Sequence, residues 1–137
     1  MTVEGLTTIA SRFDPAETME QIVAQITARG MTVMALIDHA AAAAKVNMAL
    51  DPTEVVIFGN PRAGTPLMQA AQTFGIDLPL RILVWRDRAG KTWLGYNNPE
   101  WLAARHGTGP EVAPTIAAMS HALADIAATV AAAPASF

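Results

Sequence analysis

An apolar seam near the end of the chain most constrains how the chain can fold. Between Val112 and Val130, large apolar residues recur at alternating steps of four and three, at Ile116, Met119, Leu123 and Ile126. This spacing predicts one amphipathic helix of about five turns. A coiled coil uses the same spacing, but a single helix without flanking charge pairs more often lies across a sheet. The sequence therefore predicts a long C-terminal helix packed on a β-sheet.

The first third of the chain predicts a strand, a helix and a second strand. Val3 to Ser11 has the Thr and Ile content of a strand, and Asp14 followed by Pro15 supplies an N-cap and a first helical residue. Gly30 suits the left-handed position that ends a helix. Met31 to Ile37 is a nearly continuous apolar run, which is typical of an interior strand.

The middle of the chain predicts short elements joined by turns. A short alanine-rich helix starts at His39, and the segments from Leu80 to Arg86 and from Lys91 to Tyr96 form an antiparallel hairpin. The remaining predictions are a strand over Glu54–Phe58, a helix over Pro99–His106, a helix end at Pro134 and a frayed tail over 132–137.

Composition limits the classes of function. A chain of 137 residues has the size of one domain, predicted here over 1–137. A content of 52% apolar against 15% charged residues favours self-association. The net charge of −3 and scattered basic residues argue against nucleic acid as a partner. Without Cys there is no thiolate chemistry. We expect neither a membrane span nor a secretory signal, and hence a cytoplasmic location.

The segment from Phe58 to Pro66 joins a predicted strand to a predicted helix. Gly59 and Gly64 have the glycine spacing of a phosphate-binding P-loop, but Thr65 and Pro66 stand where that motif needs Lys and Ser or Thr. Nucleotide hydrolysis is therefore not expected. The segment is either a tight turn before a helix that Thr65 caps, or a site where loop amides and Arg62 hold a small anion.

Two further groups of residues have a chemical and a structural interpretation. Asp38 and His39 place a carboxylate beside an imidazole, the two groups that general base catalysis commonly uses. Asp38 is also suited to cap the alanine-rich helix. No two of the three histidines have metal-ligand spacing on a helix, so no metal site is predicted, and no cofactor is indicated. A cluster of aromatic residues belongs either to the core or to an interface or pocket wall, and comprises Trp85, Trp93, Tyr96 and Trp101.

Five short motifs, in order along the chain, resemble the family known as domain of unknown function 302. They are Ile37–Ala41, Ile57–Pro61, Ala63–Met68, Asp77–Leu80 and Leu94–Asn97, and Trp85 and Arg105–Gly107 also resemble that family's pattern. The resemblance implies a two-layer α+β fold of strand, helix, four antiparallel strands and closing helix, similar to the TATA-box-binding-protein topology and often dimeric. It implies no activity.

The functional prediction is a noncatalytic domain that binds or senses a small ligand as a homodimer. The ligand would lie under the C-terminal helix or at the Phe58–Pro66 segment, because an apolar seam beside a few polar groups is typical of ligand pockets. The candidate binding residues are Asp38, His39, Asn60, Arg62, Thr65 and Asn97. One alternative is an acid–base enzyme that uses Asp38 and His39. The other is a structural or protein-interaction module.

Overall fold

One antiparallel sheet organises residues 2–133, the part of the chain that this computed structural model describes. The strands lie in the order β1-β5-β4-β3-β2, and every neighbouring pair is antiparallel. Their bounds are β1 Leu6–Ala10, β2 Thr32–Asp38, β3 Thr53–Gly59, β4 Leu80–Arg86 and β5 Thr92–Asn97. The helices are α1 Pro15–Ala28, α2 His39–Lys45, α3 Pro61–Ala70, α4 Pro99–His106 and α5 Ala113–Ala128. The predicted α+β fold is confirmed.

Helix α1 crosses the sheet and makes β2 an edge strand. It starts where the sequence predicts, because the Asp14 side chain accepts the Glu17 N–H at 2.8 Å, and the chain leaves it through Gly30 at a φ of +76°. The prediction that β2 is an interior strand was wrong: it has a strand neighbour, β3, on one side only. An apolar run cannot distinguish a covered strand from an apolar edge, and Leu36 and Ile37 are 49% and 41% exposed.

The core lies between one face of the sheet and the helices. Every second residue of the central strands is buried on this face, as Phe58, Ile82 and Leu94 show. All six residues of the predicted apolar seam are buried, and α5 packs beside α1 and α4. The prediction of a long amphipathic C-terminal helix is thus confirmed, with its end at Ala128. The predicted stop at Pro134 lies outside the described residues, as do positions 134–137 of the predicted tail.

The two edges of the sheet differ. The segment after α5 covers the β1 edge, where Ala132 N–H donates to the Ala10 carbonyl at 2.8 Å and Arg12 N–H donates to the Val130 carbonyl at 2.9 Å. Ser11 and Ala131 form an isolated antiparallel bridge there. In residues 2–133, the backbone of β2 has no such partner on its outer side.

Two of the tryptophans lie on the face of the sheet opposite to the core. Trp85 of β4 and Trp93 of β5 are paired in register and half-buried. Gly95 makes room for this pair, because a Cβ there would come within 3.1 Å of the Trp85 ring. The Trp93 Nε1–H donates to Asp87 Oδ2 at 2.8 Å, which anchors its polar edge. These two rings therefore contribute little to the core between sheet and helices.

Candidate functional site

The segment from Phe58 to Pro66 folds as a strand end followed at once by a helix. Asn60 is the N-cap of α3, and its Oδ1 accepts the Arg62 N–H at 3.0 Å. Pro61 is the first helical residue. The sequence prediction that Thr65 caps this helix was wrong by five residues, because Asn60 and Pro61 supply the same cap-and-proline signal earlier in the chain. Gly64 is helical, so its spacing from Gly59 does not form a phosphate loop.

A cavity of about 670 Å³ opens beside the start of α3. One wall is the first turns of α3, and a second is α5 between Pro114 and Ala122. The segment Leu78–Leu80 and two methionines around the start of β2, Met31 and Met34, complete it. Its volume lies within the range of small-molecule sites.

The surface of the cavity is mostly apolar. Four methionines line it, namely Met31, Met34, Met68 and Met119. Methionine side chains are flexible and polarisable, and they adapt to ligands of different shapes. The polar lining side chains are Asn60, Arg62, Thr65 and Thr115, and no carboxylate is among the described residues that line the cavity. An apolar surface with a few polar groups is the composition of a ligand pocket.

Small residues on α5 leave the space open. Pro114, Ala118 and Ala122 recur every four residues and face the cavity beside the buried seam. Sequence reasoning followed the large apolar residues of this helix and missed the small ones. Their regular spacing was the available signal, but alanine recurs throughout this segment, so the signal was weak.

The structure brings together three of the six predicted binding residues. Asn60, Arg62 and Thr65 all line the cavity. Asp38 and His39 lie at the other end of β2, about 20 Å along the strand from the residue paired with Gly59. Asn97 ends β5 in an exposed position and does not line the cavity. The predicted residues therefore do not form one site.

Asp38 and His39 occupy an exposed corner where the local interactions are structural. Asp38 Oδ1 accepts the Ala41 N–H at 2.9 Å and caps α2. His39 is exposed at the start of the same helix. Glu54 is paired with Asp38 across the sheet, and its pKa is raised first by burial and then by the nearby Asp38 charge. The corner therefore places two carboxylates together and no histidine–acid pair.

A histidine–carboxylate contact does occur elsewhere, behind the Leu78–Leu80 wall. His106 Nε2 lies 2.5 Å from Asp77 Oδ2, and Arg105 donates to both Asp77 oxygens at 3.0 and 2.8 Å. The Thr73 hydroxyl lies 2.9 Å from His106 Nδ1. The imidazole is 6% exposed and packs on the Phe74 ring, with centroids 4.8 Å apart.

These contacts tie the end of α4 to the segment that leads into the cavity wall. An Nε2–H donated to Asp77 leaves Nδ1 free to accept the Thr73 hydroxyl proton, so every polar atom of the imidazole has a partner. Sequence reasoning did not connect these residues, because Asp77 and His106 are 29 positions apart. Their presence in two of the family-like motifs was the available signal. We assign the cluster a structural role.

Neither a metal centre nor a membrane helix is seen in the described residues. Within 2–133, no group of three or more His, Asp or Glu side chains is arranged to hold a metal ion. In the same part of the chain, every helix is too short or too polar to cross a bilayer.

The fold and the motifs correspond to a defined family of domains. The model of the family described as "Domain of unknown function DUF302" matches residues 7–126, so the chain belongs to this family. A solved structure, the uncharacterized conserved protein DUF302 from Bacillus stearothermophilus, superposes with a TM-score of 0.82 at 17% sequence identity. The superposition covers 93% of this chain and 99% of that chain. At this identity the likeness shows the fold alone.

Curated relatives are similar over most of this chain. Fluoride-specific ion channel FluC 1 of Brucella suis biovar 1 is 50% identical over 105 residues, which are 77% of this chain and 41% of that protein. Fluoride-specific ion channel FluC 2 of Brucella melitensis biotype 1 is 50% identical over the same length, covering 39% of that protein. The chain thus spans about two fifths of the length of the curated relatives that it matches.

Proposed function

We propose that this domain binds a small, largely apolar ligand in the cavity between α3 and α5, without catalysis. The observation that carries the proposal is the cavity itself, a space of about 670 Å³ whose lining is apolar apart from a few polar side chains on two helices. Asn60, Arg62 and Thr65 are the proposed polar contacts. Binding would transfer apolar ligand surface from water to the methionine side chains, which is favourable in proportion to the area buried.

An acid–base reaction is less well supported. Asp38 and His39 were the predicted pair, but the Asp38 carboxylate is engaged as a helix cap and His39 is exposed on the first turn of α2. The imidazole that does meet a carboxylate, His106, is nearly buried beneath Phe74. We therefore retain binding as the function, and a cytoplasmic location stays a prediction.

Fluorescence titration with a neutral apolar probe, N-phenyl-1-naphthylamine, tests this function. The wild-type protein is expected to bind the probe, and Ala118→Leu, which places a larger side chain into the cavity, is expected to weaken binding at least about tenfold. Ala117→Leu is the matched control, because Ala117 is exposed on the same helix and does not line the cavity. Equal binding by both variants, or no binding by the wild type, would overturn the proposal.

We also propose that two copies of the domain associate through the β2 edge. The support is the exposure of large apolar side chains on β2 and on the segment after α2, namely Met34, Leu36, Ile37, Val46, Met48 and Leu50. An apolar edge strand with unpaired backbone groups favours pairing with another strand. A second copy would offer the same uncharged stretch from Thr32 to Ile37 in antiparallel orientation.

Native mass spectrometry and sedimentation velocity test the dimer. The wild type is expected to sediment as a dimer, and Leu36→Lys, which adds a charge to an exposed position of the edge, is expected to sediment as a folded monomer. Thr8→Lys places the same charge on the opposite edge strand and serves as control. A monomeric wild type, or a dimer unaffected by Leu36→Lys, would contradict this assignment.

A further inference from the structure

The charge at the surface of the cavity is positive. Arg62 is the single charged side chain among the described residues that line it, although the chain as a whole has a net charge of −3. The ion pairs within residues 2–133 involve Arg29, Arg86, Arg105 and His106, with no carboxylate within 4.0 Å of Arg62. The guanidinium is thus not neutralised by the described part of the protein.

Most of the polar groups lie on one wall, because three of the four polar lining residues belong to α3 or its cap, while Thr115 lies on α5. Arg62 and Thr65 are three residues apart on α3 and so face the same side of that helix, and Asn60 precedes them as its cap. The Asn60 Oδ1 accepts the Arg62 backbone N–H, so the capping contact uses the main chain of Arg62 and leaves its side chain available. The walls facing α3 are formed largely by Met31, Met34, Leu78, Leu80 and Met119.

From this separation of charge and apolar surface we infer that the ligand is an anionic amphiphile. Its apolar chain or ring lies against the methionines, and one anionic oxygen-bearing head group, such as a carboxylate, pairs with Arg62. A guanidinium matches a carboxylate through two parallel N–H donors, which favours an acid over the corresponding alcohol. The inference rests on the proposed function and adds the chemical class of the ligand. A cationic amphiphile would instead be repelled by Arg62, with no carboxylate lining the cavity to attract it.

Isothermal titration with two ligands of equal chain length tests the inference. Decanoate is expected to bind the wild type about tenfold or more tightly than 1-decanol. Arg62→Gln is expected to remove that difference, because it weakens the binding of decanoate far more than the binding of 1-decanol. Arg81→Gln is the matched control, because Arg81 is an exposed arginine of β4 that does not line the cavity. Both arginines are exposed, so neither change is expected to alter the unfolding temperature.

The outcomes separate the inference from the proposed function. If 1-decanol binds and decanoate binds no better, or if Arg62→Gln leaves decanoate affinity unchanged, the anionic class is wrong while the apolar site stands. If neither compound binds the wild type, both proposals fail. An equal loss of decanoate affinity in Arg62→Gln and Arg81→Gln would mean that general surface charge attracts the acid, and would also overturn the assignment to Arg62.

Discussion

The two ends of the β2–β3 pair are built alike and yet differ in what they can bind. At one end Asp38 leaves β2 and caps α2, and at the other Asn60 leaves β3 and caps α3. Because the strands are antiparallel, the two caps lie at opposite ends of the sheet. Helix α3 faces α5 across the cavity, whereas α2 contributes no buried residue. The comparison teaches that a cap signal locates a helix start, and that the surrounding elements decide whether a site forms there.

The largest difference is expected in the contribution of the two helices to stability. Leu67 of α3 is fully buried, and we expect Leu67→Ala to lower the free energy of unfolding by about 2–5 kcal/mol, because it removes buried methyl groups and leaves a cavity. Ala44→Gly, in the exposed part of α2, is expected to cost only about 1 kcal/mol. Urea unfolding measures both. Equal costs would show that α2 is as firmly packed as α3.

The next largest effect on stability is expected at the contacts of Asp77 with His106 and Arg105, which hold the Leu78–Leu80 wall of the cavity. Asp77→Ala removes the partner of His106 in a nearly buried position, and we expect a loss of about 1–3 kcal/mol in the free energy of unfolding. Arg105 is 49% exposed, so Arg105→Gln is expected to cost at most about 1 kcal/mol. Urea unfolding of both variants checks this order. An Arg105→Gln effect as large as that of Asp77→Ala would contradict the structural account of His106.

Removal of the two helix caps is expected to change stability less, but it distinguishes the two ends of the sheet by their effect on ligand binding. Asn60→Ala and Asp38→Ala each remove one side-chain acceptor for a helix N–H, so each is expected to cost about 1 kcal/mol. Only Asn60→Ala is expected to weaken binding of N-phenyl-1-naphthylamine, because only that cap supports a cavity wall. Thermal unfolding and the probe titration are the measurements. Weaker probe binding in Asp38→Ala alone would move the site to the other end of the sheet.

The smallest expected effect is electrostatic. The pKa of Glu54 is raised in the folded protein, so its ionised form opposes folding, and this penalty is relieved as pH falls through the raised value toward 4.5. Glu54→Gln is therefore expected to raise the free energy of unfolding slightly at pH 7. It is also expected to remove the part of the increase in that free energy, as the pH falls, that comes from protonation of Glu54. Urea unfolding between pH 7 and 4 tests the sign. A less stable Glu54→Gln at pH 7 would show that the carboxylate is favourably placed.

Local signals predicted the helices and strands well, and tertiary arrangement was harder to foresee. The Asp14 and Asp38 caps, the hairpin around Asp87 and the α5 seam follow from residue types and spacing. The errors at β2 and at the start of α3 have the same physical cause. In both places the local sequence signal fits more than one position in the fold. The apolar run of β2 fits an edge as well as an interior, and the proline at position 66 lies inside α3 because Asn60 and Pro61 had already started it.

The candidate site was predictable only in part for the same reason. Asn60, Arg62 and Thr65 were identified because they are close in sequence, and the same helix carries them to one cavity. Asp38 and Asn97 were grouped with them on composition, but Asp38 lies at the far end of β2 and the strand order places Asn97 of β5 away from that cavity. The contribution of Ala118 depends on where α5 lies, and the contact of His106 with Asp77 depends on where α4 ends. Neither position follows from local sequence.

Methyl NMR of protein labelled at the methionine Cε tests the central claim most directly, because methionines report on both ends of the sheet. Met31, Met34, Met68 and Met119 line the cavity, whereas Met48 is exposed shortly after α2 and Met19 lies in the core. On titration with decanoate, the account predicts saturable shifts of the four cavity methyls, with Met48 and Met19 nearly unchanged. Shifts largest at Met48, or none at the four cavity methyls, would contradict a ligand site between α3 and α5.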